Sequence, residues 1–164
     1  MIRNAVRALI VEDDKLLFIK KERPDIGIYY VLPGGAQEPD ETLGQSLKRE
    51  CLEELGLDII DSNLVCIREY ISKNYEYSLI MKEVHAIDFM YTCIPDSNKV
   101  LNGLQADIGQ IGIEWLPIAK IKHSLIQKDL KYRTYHFPRT TNDFLQEFLF
   151  EEIRETYLSR DFRS

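Results

Sequence analysis

Cysteine is scarce: three residues in 164, Cys51, Cys66 and Cys93. Their number is odd, they lie far apart, and no CxxC pair occurs, which argues against a disulfide framework and against a zinc site. No apolar run approaches membrane-spanning length. The opening stretch MIRNAVRALIVEDD begins like a signal peptide, but Arg7 interrupts its apolar part and an acidic turn follows, so it reads as a strand. No membrane partner is expected, and the expected location is a reducing cytoplasm. Dense Lys/Arg runs are missing too. The 21 Lys+Arg against 27 Asp+Glu give a net charge of −6, which disfavours a large nucleic acid as partner. A small anionic ligand would need a local cation to offset that charge. Repeats and low-complexity linkers are also absent.

What is present suits one domain over residues 1–164. Apolar residues make up 45% and charged residues 29%, an ordinary balance for a chain that buries a core. Two β-rich runs, Ala5–Val11 and Lys15–Lys20, flank a polar turn at Glu12–Asp14 and predict a hairpin. A short strand is predicted over Ile28–Leu32, inside a loop punctuated by Pro33, Gly34, Gly35 and Pro39. A helix is predicted over Glu41–Leu55, with Asp40 as N-cap and Gly56 as C-cap. Asp58–Ser72 and Tyr77–Ile94 read as long strands around a turn at Lys73, Asn74 and Tyr75. Pro95–Gln110 is a polar loop, and IGIEWLPIAKI is a strand entering a short helix. Phe144, Leu145, Phe148, Leu149, Ile153 and Tyr157 recur at helical spacing, so Thr141–Leu158 reads as an amphipathic helix. That helix either docks on its own domain or supports a homodimer. Strands and helices interleave without a strict βαβ rhythm, which predicts an α+β domain with a mixed sheet.

The stretch GGAQEPDETLGQSLKRECLEELGL carries the chemistry. Its helix crowds Glu50, Glu53 and Glu54 into about one third of the circumference. Like charges at this spacing repel by ~0.2–0.5 kcal/mol per pair. A solvated acidic face, partly neutralised by Lys48 and Arg49, is one explanation. The other comes from the flank. Gly34 and Gly35 let a ligand approach the backbone closely, and a loop carbonyl beside three carboxylates makes an all-oxygen site. Hard cations such as Mg²⁺ or Mn²⁺ want such a site, and Mg²⁺ is commonly shared with substrate phosphates.

The same stretch resembles the Nudix box, G-x5-E-x7-R-E-U-x-E-E-x-G-U, where U is a bulky aliphatic residue. Gly35 and Glu41 open it, Arg49-Glu50 follow, then Cys51, Leu52, Glu53-Glu54, Leu55, Gly56 and Leu57. Every fixed polar position matches; the departure is Cys51 at the first U position. YYVLPGG resembles the entry to the box and IEWLPIAKI the strand and turn that close the domain, so the resemblance covers roughly residues 3–121.

The resemblance implies an α/β/α sandwich around a mixed sheet. It also implies metal-dependent hydrolysis of a nucleoside diphosphate linked to another group X, with Mg²⁺ or Mn²⁺ as cofactor. By position, Glu50, Glu53 and Glu54 would bind metal, Glu41 would support the site or bind a further ion, and Arg49 would orient a glutamate. A carbonyl of Gly34 or Gly35 would complete the metal shell. The general base would be Glu53 or Glu50 within the box, or a group in the loop holding Asp107 and Gln110. Lys20, Lys21 and Arg23 are candidates for holding phosphates. Tyr29, Tyr70, Tyr75 and Tyr77 are candidates for stacking on a base. The proline that ADP-ribose hydrolases often carry about fifteen residues after the box is absent, Ser72 and Lys73 standing there, and Tyr75 matches only loosely the tyrosine of dinucleoside polyphosphate hydrolases. The substrate stays open, and the rival to an enzyme is a non-catalytic nucleotide-binding or sensing module of the same fold.

Overall fold

The structure is a computed structural model. It describes residues 1–79, 83–96, 103, 105–150 and 157–158. Its strands are β1 (Ile2–Leu9), β2 (Val11–Glu12), β3 (Lys15–Arg23), β4 (Gly27–Val31), β5 (Gly34–Ala36), β6 (Ile59–Ile71), β7 (His85–Pro95), β8 (Gln110–Pro117) and β9 (Tyr157–Leu158); its helices are α1 (Leu43–Leu55), α2 (Ile118–Ile126) and α3 (Arg139–Phe150). One sheet runs β5-β1-β7-β6-β9 and is mixed: β1 and β7 are parallel, as are β6 and β9, while β5–β1 and β7–β6 are antiparallel. In the second sheet β3 pairs with β2 and β4 along one edge and with β8 on the other, all antiparallel.

Alternation along the central strands splits the core in two. Val6, Ala8 and Ile10 pack with Leu17, Ile19 and the α1 residues Leu47, Cys51 and Leu55. Leu9, Leu16, Phe18 and Met90 pack with Ile121 and Leu125 of α2 and Phe144 and Leu145 of α3. Helices therefore cover both sides of the strands, and the expected α/β/α sandwich is the observed fold. Among the described residues no helix is long and apolar enough to cross a membrane.

Several expected boundaries are corrected. The first hairpin survives only at its tip: Asp13 and Asp14 adopt left-handed φ values of 49° and 58° between β2 and β3. These suit a two-residue reverse turn, but β1 leaves this sheet and pairs with β5 and β7. The glycine loop contains strand β5. Helix α1 starts two residues later than expected. Asp40 has φ 66° and is not its cap; Thr42 is, in a reciprocal capping box with Gln45. Gly56 closes the helix with φ 67°, as expected. Ser72 opens a short 3₁₀ turn, and β7 begins at His85, so Tyr77 lies in the connecting turn. Helix α3 spans Arg139–Phe150, and Tyr157–Leu158 is a strand; Ile153 lies outside the described residues. Phe144 is fully buried inside the chain and stacks on Phe148, with centroids 5.6 Å apart. The described part of this helix thus docks on its own core.

Cys51 is fully buried beneath α1, and burial pushes its thiol well above the usual range. Cys51→Ala is expected to cost about 1–2 kcal/mol in packing and to leave turnover per folded molecule unchanged. Urea unfolding paired with an activity assay normalised to folded protein checks this; a well-folded but inactive variant contradicts it.

Candidate active site

The site grows from the junction of β5 and α1. Pairing of β5 with β1 brings Gly34 opposite Arg7 and Gly35 opposite Val6. The Gly34 N–H then donates to Glu54 Oε1 at 2.9 Å, tying the glycine strand to the end of the helix. A Cβ on Gly35 would sit 2.5 Å from Glu50 Oε1, so the glycine makes room for that carboxylate.

Arg49 organises the acidic groups. Its Nε and Nη2 donate to the two oxygens of Glu41 at 3.0 and 2.8 Å. Its Nη1 donates to Glu50 at 3.0 Å and Glu53 at 3.3 Å, and Nη2 also donates to the carbonyl of Ala36 at 3.0 Å. Two-point donation from Arg49, aided by the Glu38 N–H, holds the Glu41 carboxyl down to about 2. Glu54 has no such partner. It is 4% exposed, and burial pushes its carboxyl up to about 8. The Gly34 N–H and the Arg7 charge oppose the rise, while Glu50 and Asp107 add to it.

Gly103 and residues 105–110 lie against this end of the helix. The Gln105 N–H donates to the Glu53 carbonyl at 2.8 Å, and Gln110 Nε2 donates to the Glu54 carbonyl at 3.1 Å. A Cβ at Gly103 would meet the Glu54 carbonyl at 2.4 Å. Asp107 receives a hydrogen bond from Lys21. Burial raises its carboxyl, but the Lys21 ammonium outweighs this and the net shift is downward.

A cavity of about 600 Å³ opens beside the cluster. Of the expected residues, Arg49, Glu50, Glu53, Glu54, Gly35, Tyr75 and Asp107 line it, as do Lys21, Tyr29, Tyr70 and Tyr77. Lys20, Arg23, Glu41 and Gln110 do not. Lys20 turns to Glu114 (3.8 Å) and Arg23 to Asp25 (3.8 Å). Glu41 holds Arg49 from outside the cavity, and Gln110 serves the helix carbonyl. Arg7, Arg68 and Asp88 line the cavity without having been singled out as ligands. They sit on strands, at the parity that faces inward, where an apolar residue is the usual occupant. That parity is the only signal the sequence offered.

A divalent ion is the group that this donor set would hold. Among the described residues no three acidic side chains converge at metal-ligand distance, because Arg49 occupies Glu50 and Glu53 while Glu54 turns to Gly34. The chemistry nevertheless fits: all donors are hard oxygens, Gly35 leaves space at Glu50, and the Arg7 charge only partly offsets the burial of Glu54.

A NUDIX domain model matches residues 1–137. An uncharacterized Nudix hydrolase of Bacillus subtilis, YvcI, is 27% identical over 122 residues, covering 74% of this chain and 70% of that protein. The human 8-oxo-dGDP phosphatase NUDT18 is 24% identical over 119 residues, covering 73% of this chain but only 33% of that protein. The crystal structure of a MutT NUDIX hydrolase from Burkholderia pseudomallei superposes with a TM-score of 0.60 at 22% identity, over 87% of this chain and 97% of that one.

Proposed function

The chain belongs to the Nudix family of pyrophosphohydrolases, and from that premise we propose that it cleaves a nucleoside diphosphate linked to a further group X, using Mg²⁺ or Mn²⁺. The whole chain, 1–164, is taken as one such domain. One observation carries this reading: a single cavity joins the glutamates of α1 to the cations Arg7 and Lys21 and to four tyrosines. That combination suits a substrate with a charged diphosphate at one end and a planar base at the other.

Glu50, Glu53 and Glu54 would hold the ion, with a carbonyl of the Gly34–Gly35 strand. An ion bound there would neutralise phosphoryl charge and make the attacking water easier to deprotonate. Glu41 retains Arg49 through two hydrogen bonds. The guanidinium can therefore stay in place while Glu50 and Glu53 turn to other partners. Glu53, with its side chain 34% exposed, is the general base that accepts a proton from the attacking water. Arg7 and Lys21 position the diphosphate. Attack at phosphorus yields a nucleoside monophosphate and phosphorylated X.

The decisive assay is turnover of a panel of nucleoside triphosphates, nucleotide sugars and dinucleoside polyphosphates with Mg²⁺, Mn²⁺ or EDTA, following both products. Turnover is expected with either metal and lost in EDTA. A folded protein that binds nucleotides but turns over none would instead be a binding module. Undiminished turnover in EDTA would remove the metal from the account.

A further inference from the structure

Asp88 lies in the middle of β7, where its Cα partners are Ala5 of β1 and Arg68 of β6. It is 7% exposed and lines the cavity, yet its Oδ1 has no hydrogen-bond partner among the described residues. An unpaired buried acceptor destabilises the fold, and more so when it is charged. A carboxylate at a sheet centre, where an aliphatic residue would pack without that penalty, calls for a donor from outside the chain. Arg68, its cross-strand neighbour, is engaged elsewhere: Nη1 donates to the Thr140 carbonyl at 3.1 Å and the guanidinium lies over the Phe144 ring at 5.5 Å. Tyr70 follows Arg68 on the same face of β6, and its ring sits 5.2 Å from that of Tyr75. The cavity therefore combines aromatic walls with a buried acceptor on its floor.

We propose that Asp88 is a specificity-determining residue that reads the nucleobase edge by accepting from a ring N–H and the amino group beside it, so that guanine-type bases are preferred. This rests on the nucleotide-hydrolase reading above. Guanine presents two adjacent donors, which match the two oxygens of one carboxylate. Adenine and cytosine each set a ring acceptor beside their amino group, and its lone pair would face the carboxylate. Uracil flanks its one N–H with two carbonyls. Asp88 can meet the edge by turning about its Cβ–Cγ bond, whose torsion is broad and two-fold.

The test is calorimetric binding of GMP, IMP, AMP, CMP and UMP to the full chain, with hydrolysis of the corresponding diphosphate derivatives alongside. IMP keeps the ring N–H and lacks only the amino group. The parent is expected to bind GMP at least ~10-fold more tightly than IMP, because a site built around a donor rejects the analogue that lacks it. Asp88→Asn presents an N–H to the base in place of one acceptor, and it should reduce the GMP/IMP ratio to within about 2-fold, as a cycle between coupled groups requires. Thermal unfolding verifies the fold of Asp88→Asn, and Asp88→Ser serves as a second variant.

A parent with no preference for GMP overturns the proposal without recourse to any variant. So does a folded Asp88→Asn that keeps the parent's ratio. Hydrolysis of the panel with no base ranking overturns this inference alone. Asp88-dependent GMP binding without turnover overturns the hydrolase reading and leaves this inference standing.

Discussion

Glu53→Gln is expected to lower kcat for metal-supported hydrolysis about a thousandfold while leaving the protein folded. Charge stabilisation at a bound metal is worth several kcal/mol, and about 4 kcal/mol corresponds to three decades in rate. The substitution keeps the shape of the side chain and removes both its charge and its ability to take a proton. In the fold itself Glu53 has little to lose. Its bond to Arg49 is 3.3 Å long, spans one helical turn, and is partly open to solvent. Such pairs contribute about 0.3–0.5 kcal/mol. Kinetics on the most active panel substrate, with circular dichroism melting of the same sample, measures both quantities. Turnover within about tenfold of the parent would make Glu53 a helix-surface ion-pair partner rather than the base.

The second large effect separates the two adjacent glycines at the entry to the box. Gly34→Ala should destabilise the protein by more than about 3 kcal/mol. Gly34 has φ 140°, and an added Cβ would lie 1.9 Å from the Val6 carbonyl oxygen. That oxygen belongs to β1, buried between β5 and β7, so it cannot move aside. The nearest atoms to an added Cβ in Gly35→Ala are those at the end of the Glu50 side chain, the closest at 2.5 Å. Glu50 can swing away, so the fold should lose less than about 1 kcal/mol, while activity falls because a carboxylate leaves the cluster. Urea midpoints and turnover of both variants distinguish these outcomes. A Gly34→Ala midpoint close to the parent's would mean that β5 does not pair with β1 as described.

The contrast between these neighbours explains how much the sequence revealed. The fold class and the box were readable because they depend on spacing along one continuous stretch: Arg49 to Glu54 on one helix, with Gly35 and Glu41 at fixed distances before it. Burial of Cys51 beneath α1 fits its place among the aliphatic positions of the pattern. The capping box was also present as Thr42-Leu43-Gly44-Gln45, but Asp40 drew the boundary because Asp is a strong cap residue. Only its left-handed backbone rules it out. Exchange of β1 into the other sheet was hidden, since a hairpin pattern does not say which neighbour a strand chooses. The substrate residues were harder still. Lys20 and Lys21 are adjacent on a strand and so point to opposite faces; which face holds the cavity depends on a sheet formed by distant segments. Arg7, Arg68 and Asp88 meet only because β1, β7 and β6 lie side by side.

The central claim is that the α1 glutamates are gathered for a cation and not for the stability of the fold. Glu54 tests it most directly. Burial lifts its carboxyl to about 8 in the folded chain, from an ordinary 4.5. Between those values the unfolded chain has released a proton that the folded chain retains, so stability falls as pH rises through that window. Glu54→Gln keeps an oxygen for the Gly34 N–H and carries no charge. The measurement is thermal unfolding of the parent and Glu54→Gln at pH 5.5 and pH 8, each in EDTA and in saturating Mg²⁺. In EDTA, the parent should lose more of its Tm between the two pH values than Glu54→Gln does. At pH 8, Mg²⁺ should raise the parent's Tm and move that of Glu54→Gln much less, because a ligand stabilises only the native state that binds it. A Glu54→Gln protein strongly destabilised in EDTA at both pH values, beside a parent whose Tm ignores Mg²⁺, would show that the carboxylates serve the fold and would contradict the account.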